Sequence, residues 1–139
     1  MNPDPVWLPC VAMAGVTMLV WVKLYADRLT EMRVRRISPQ SIATARAAAT
    51  RLENTNAADN FRNLFEVPVL FYVWCIAIVL TGGSTPGFVM VAWTYVGLRA
   101  LHSLIHLTYN RVVHRFLVYV ASTLLLSGLW AALLVRLAT

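Results

Sequence analysis

Acidic residues are scarce in this chain. Six Asp and Glu stand against twelve Lys and Arg, for a net charge of +6 over 139 residues. Charged residues of either sign make up only 13%, against roughly 25% in a typical soluble domain. The two cysteines, Cys10 and Cys75, both lie in apolar stretches. They form neither a disulfide framework nor a metal-ligand spacing, and read as small buried hydrophobes. A Gly-rich phosphate loop, a Ser-His-Asp arrangement and a paired-carboxylate site are all missing. His102 and His106 are four apart, a spacing that can chelate, but Ser103 stands where a His-Glu-x-x-His helix carries its general base. No metal site is expected.

What is present is apolar. Hydrophobic residues make up 59% and the mean hydropathy is +0.64. Four segments, roughly Val6–Tyr25, Leu64–Leu80, Phe88–Leu107 and Phe116–Leu137, approach or reach the roughly 20 residues that span a bilayer. The reading is an all-α integral membrane protein, a single domain over residues 1–139 built as a bundle of four transmembrane helices. The first segment lacks the basic start and small-residue cleavage site of a signal peptide, so it is expected to be a retained helix. The first connection carries Arg28, Arg33, Arg35, Arg36, Arg46 and Arg51, and the third carries Arg111 and Arg115. The second, around Gly82–Gly87, carries no charge. The positive-inside rule then places the first and third connections in the cytoplasm and both termini outside it. Topology and anionic membrane lipids account for these arginines, so no nucleic-acid partner is expected. Without a eukaryotic sorting signal, a bacterial inner membrane is the expected location.

Ser38 and Pro39 read as the N-cap and first residue of a helix. The Ala- and Arg-rich run Ser41–Asn60 has no Gly or Pro. It is expected to continue unbroken into the second span, as one helix of about 40 residues kinked by Pro68 just after Glu66. Thr81–Gly87 reads as a short external turn, and Tyr109–Arg115 as the turn of a tight helical hairpin.

Within the apolar frame stand residues that do not belong in lipid. Asp59, Arg62, Asn63 and Glu66 recur at i, i+3, i+4 and i+7 and share one helix face. Arg99, His102 and His106 share another, and Arg115 and Tyr119 are four apart at the start of the last span. An ionisable group at membrane depth costs roughly 2.5–3.5 kcal/mol, so such groups face the protein interior or a polar cavity. The groups can satisfy one another, through a Glu66–Arg99 or Glu66–Arg62 pair and histidine bonds between helices. Yet Arg62, Arg99 and Arg115 face only Glu66, with Asp59 one turn outside. A bound carboxylate or phosphate would fill that gap.

These residues resemble the MAPEG family, membrane-associated proteins of eicosanoid and glutathione metabolism. The segment Asp59-Asn60-Phe61-Arg62-Asn63-Leu64-Phe65-Glu66-Val67-Pro68 is similar to the family's Arg-Asn-x-x-Glu signature. Arg99-x-x-His102-x-x-x-His106 followed by Arg115-x-x-x-Tyr119 resembles the glutathione-binding segment of the prostaglandin E synthase-like members. The resemblance implies a homotrimer with reduced glutathione held between subunits, and a lipophilic small-molecule electrophile arriving through the bilayer. It implies Arg62, Asn63, Glu66, Arg99, His102 and His106 as glutathione-binding residues, with Arg115 and Tyr119 supporting the nucleophilic thiolate. The activity implied is that of a glutathione-dependent transferase or peroxidase. The alternative within the same fold is a non-enzymatic lipid-binding or scaffold protein. Family enzymes often carry Arg where this chain has Asp59, Tyr where it has His106, and in some members a small hydroxyl residue where it has Phe116. A thiol-activating arginine is expected near the end of the first helix, with Arg33 and Arg28 as candidates.

Overall fold

A computed structural model describes residues 3–139. The described chain is helical: α1 (Trp7–Arg35), a short 3-10 turn (Pro39–Ile42), α2 (Ala45–Arg51), α3 (Asn56–Leu64), α4 (Val67–Leu80), α5 (Pro86–Leu107) and α6 (Val112–Ala138). Four stretches are long and apolar enough to cross a membrane: α1, the α3–α4 pair taken together, α5 and α6. The expected bundle is therefore observed, and most large apolar side chains on its outer faces are exposed, as lipid contact requires.

The second span departs from expectation. In place of one helix of about 40 residues stand the short 3-10 turn and, downstream of it, three helical pieces, α2, α3 and α4. Ser38 and Pro39 do start a helical element, but only the four-residue 3-10 turn. The first interruption, Leu52–Thr55, arises because α1 offers partners that a continuous helix would have to supply itself. Arg35 Nη1 donates to the Arg51 carbonyl at 3.0 Å, and the Glu31 carboxylate accepts from Glu53 N–H at 2.7 Å and Asn54 N–H at 3.3 Å. Asn54 and Thr55 are residues whose side chains compete for backbone bonds. The second interruption falls at Phe65–Glu66. Pro68 has no N–H to donate to Leu64, and its ring would clash with that carbonyl. The chain restarts with Glu66 as N-cap of α4 at φ −95°, ψ −105°. The expected bend is thus a full break.

The core runs along the bundle axis and is dominated by Phe71, Trp74, Ile78, Tyr95, Leu126 and Leu129. Trp74 donates its indole N–H to the Leu129 carbonyl at 3.0 Å. Phe71 stacks on Tyr95 with ring centroids 4.5 Å apart. These contacts lock α4 against α5 and α6.

At the end opposite the arginine-rich connections a clasp closes the bundle. Asp4 accepts from Ser84 N–H at 2.8 Å, Ser84 Oγ at 2.5 Å and Val6 N–H at 2.9 Å. Arg136 Nη1 donates to the Gly83 carbonyl at 2.8 Å. Gly83 has φ +85°, and a Cβ there would stand 2.9 Å from the Asp4 carboxylate, so only glycine fits. Burial alone would raise the Asp4 pKa, but the three hydrogen bonds outweigh it and hold the carboxyl below its ordinary value. A depressed folded pKa means the clasp contributes fully above about pH 4 and its contribution is lost as pH falls through the lower, folded value. Thermal melts of the parent and of Asp4→Asn should therefore differ at neutral pH and converge on acidification. A gap that stays constant down to low pH would show that the carboxylate is not what holds the turn.

Candidate functional site

The helix breaks and the α5–α6 hairpin decide where each polar residue lies. Tyr95, Arg99, His102 and His106 form one stripe on α5. All four are buried, Arg99 and Tyr95 completely. Over eleven residues at 1.5 Å each, the stripe runs about 16 Å from the basic end into the bundle. Asn60 on α3 is fully buried beside it and accepts from Ser103 Oγ at 3.3 Å.

Arg99 has little to hold it. Its Nη2 donates to the Asn63 carbonyl at 3.3 Å, and its guanidinium carbon lies 5.4 Å from the centre of the Tyr119 ring. The break after α3 makes the first contact possible. Asn63 is the carbonyl at the frayed end, and it also accepts from Glu66 N–H at 3.4 Å. The possible Glu66–Arg99 and Glu66–Arg62 pairs do not form. Glu66 is exposed at the α4 N-cap and takes part in no ion pair among the described residues. Arg62, also exposed, stands 3.7 Å from Asp59 instead. The reason is the break itself, which takes Arg62 and Glu66 off a common helical ladder.

Arg115 is the hub that joins the hairpin to the stripe. Its Nη1 donates to His106 Nε2 at 2.8 Å and Asn110 Oδ1 at 2.6 Å, and its carbonyl is bonded to His102 Nδ1 at 3.0 Å. These contacts fix the tautomers. A guanidinium only donates, so His106 Nε2 is bare and Nδ1 carries the proton. A carbonyl only accepts, so His102 donates from Nδ1 and leaves Nε2 as an acceptor. Tyr119, half-buried, completes the cluster with its ring 5.8 Å from that of His102.

The cluster is rich in unmatched donors. Asn60 Nδ2, Arg99 Nε and Nη1 and His106 Nδ1 are buried without a hydrogen-bond partner, as are the Tyr95 hydroxyl and the acceptor His102 Nε2. Such groups are costly unless a ligand or ordered water engages them. An arrangement of two un-neutralised guanidiniums and spare N–H groups suits an acceptor-rich, negatively charged ligand.

The sequence-based candidates therefore separate into two sets. Arg99, His102, His106, Arg115 and Tyr119 converge, with Asn63 joined through its carbonyl. Arg62 and Glu66 lie exposed on the outer surface, Arg62 before the break and Glu66 at it. The two first-helix arginines separate as well. Arg33 is exposed, whereas Arg28 lines a cavity of about 70 Å³ between α1, α2 and α3, beside Asp59 and Arg62. Its Nε is buried without a partner. Spacing alone did not pick out Tyr95, Asn60, Ser103 or Asn110. Tyr95 was findable, since it extends the Arg99–His102–His106 stripe by one turn. Asn110 carried no periodic mark.

The MAPEG family model matches residues 6–135, nearly the whole chain. The chain belongs to the MAPEG family. No curated protein and no solved structure matches it. MAPEG membership agrees with the four-span helical architecture, and its members are glutathione-related transferases and isomerases or scaffold-like proteins. Among the described residues of this MAPEG protein, no group of three or more His, Cys, Asp or Glu side chains is placed to hold a metal ion.

Proposed function

We propose that this protein is a glutathione-dependent membrane transferase or peroxidase acting on a lipophilic electrophile. The observation that carries the reading is the un-neutralised positive charge at the convergent site. Arg99 and Arg115 take part in no ion pair among the described residues, and the spare groups around them are mostly donors. Glutathione, with a net negative charge, matches that imbalance and supplies the thiol nucleophile. Arg115 holds the developing thiolate through the guanidinium nitrogens not committed to His106 and Asn110, with Tyr119 beside it. Arg99, His102 and His106 line the deeper part. Arg62, Asn63 and Glu66 bind the peptide backbone of glutathione, and in a homotrimer the exposed Arg62 and Glu66 would face a neighbouring copy. The electrophile enters from the membrane lipids along a helix groove. The basic end, which carries the site, faces the cytoplasm of a bacterial inner membrane by the positive-inside rule.

A second reading, a non-enzymatic lipid-binding or scaffold protein, is favoured by one observation. Asp59 stands 3.7 Å from Arg62 and offsets a cation that glutathione would use. Titration calorimetry of the detergent-purified protein with reduced glutathione separates the two. Micromolar-to-millimolar binding is expected. No heat, together with unchanged thermal stability in excess glutathione, would leave the scaffold reading.

A further inference from the structure

An arginine at the start of a helix is a long, mobile side chain unless something holds it. Arg115 is held by two acceptors, and one of them, Asn110, is built for the purpose. Asn110 lies between α5 and α6 with φ 46°, a left-handed conformation that Asn tolerates better than most residues. Its N–H donates to the Ile105 carbonyl at 2.8 Å and so closes the end of α5. Its Nδ2 donates to Asn56 Oδ1 on α3 at 2.8 Å, which fixes the amide so that Oδ1 faces Arg115 at 2.6 Å. One residue thus ties α3 and α5 to the first turn of α6.

The chemistry of this holder matters as much as its position. A carboxylate at the same place would bond more strongly to a guanidinium, but it would cancel the charge. Both acceptors on Arg115 Nη1, the Asn110 amide oxygen and the neutral His106 ring, are uncharged. We infer that Asn110 is a positioning residue that fixes the Arg115 guanidinium while leaving its positive charge available to an anion. For catalysis this rests on the glutathione reading above. The positioning itself does not.

The test therefore has a ligand-free arm. Arg115 is labelled with the arginine-selective reagent phenylglyoxal and followed by mass spectrometry, with the exposed Arg46 as internal reference. Asn110→Gly removes the side chain while glycine keeps the left-handed backbone without strain. It should speed Arg115 labelling about tenfold, the loss of one charge-assisted bond, with Arg46 unchanged. Asn110→Asp, whose carboxylate holds the guanidinium more tightly, should label Arg115 no faster than the parent. The second arm follows bound glutathione thiolate by ultraviolet absorbance against pH. Asn110→Asp should move its midpoint up by about one unit, because the added carboxylate neutralises Arg115. Parental labelling of Arg115 in Asn110→Gly would overturn the inference, and so would an unmoved thiolate midpoint in Asn110→Asp. A parent protein with no thiolate signal would remove the glutathione reading, and the labelling arm would still decide whether Asn110 holds Arg115.

Discussion

Arg115→Ala should lower glutathione conjugation by about 10²–10³-fold, the usual loss when one preorganised donor to a developing anion is removed. The size follows from the surroundings. Arg115 is half-buried in the first turn of α6, its Nη1 is occupied by Asn110 and His106, and it takes part in no ion pair among the described residues. A fixed, un-neutralised cation there is worth more than one in water. The substitution also strips His106 Nε2 and Asn110 Oδ1 of their donor, at about 1–3 kcal/mol of stability. Activity should therefore be measured well below the variant's own melting temperature. Arg115→Lys keeps the charge but not the planar fork, and should recover only part of the activity. Full turnover in the alanine variant would remove Arg115 from the chemistry.

Arg99→Met should separate function from stability in the opposite sense. Arg99 is completely buried, yet its protein partners are one long bond to a carbonyl and the face of Tyr119. A buried charge without a counter-charge is a burden on the fold, and replacing buried ionic groups by apolar side chains of similar volume often stabilises by about 1–4 kcal/mol. Methionine has the length and flexibility to fill the same channel. The variant should melt at a higher temperature and bind glutathione weakly or not at all. If it instead unfolds easily while still binding glutathione, Arg99 serves as a bolt between α3, α5 and α6.

Much of this arrangement was legible before any coordinates. Four apolar runs set the bundle, and Gly82-Gly83 with Pro86 marked the turn. Arg99, His102 and His106 were placed on one buried face by spacing alone, because helical periodicity is local. The break at Leu52–Thr55 was not legible, since its causes are Glu31 and Arg35, some twenty residues upstream and in reach only once α1 is packed alongside. Pro68 announced a disturbance, but not that Glu66 would leave the helical ladder and miss both arginines. Nor could spacing show which side of a helix meets its own bundle. Arg62 and Arg99 looked alike in the sequence, yet one is outside and the other completely enclosed. Asn110 escaped because a single hairpin residue has no period to betray it.

The joint between α3 and α4 has a mechanical meaning beyond its geometry. A continuous helix transmits a push along its axis, whereas two rods meeting at Phe65–Glu66 turn the same push into a change of angle. The carbonyl at that joint, on Asn63, accepts the one hydrogen bond Arg99 makes to the protein. Tilting α3 against α4 would therefore lengthen or shorten that one bond, which couples the angle between the two rods to the seating of the buried guanidinium.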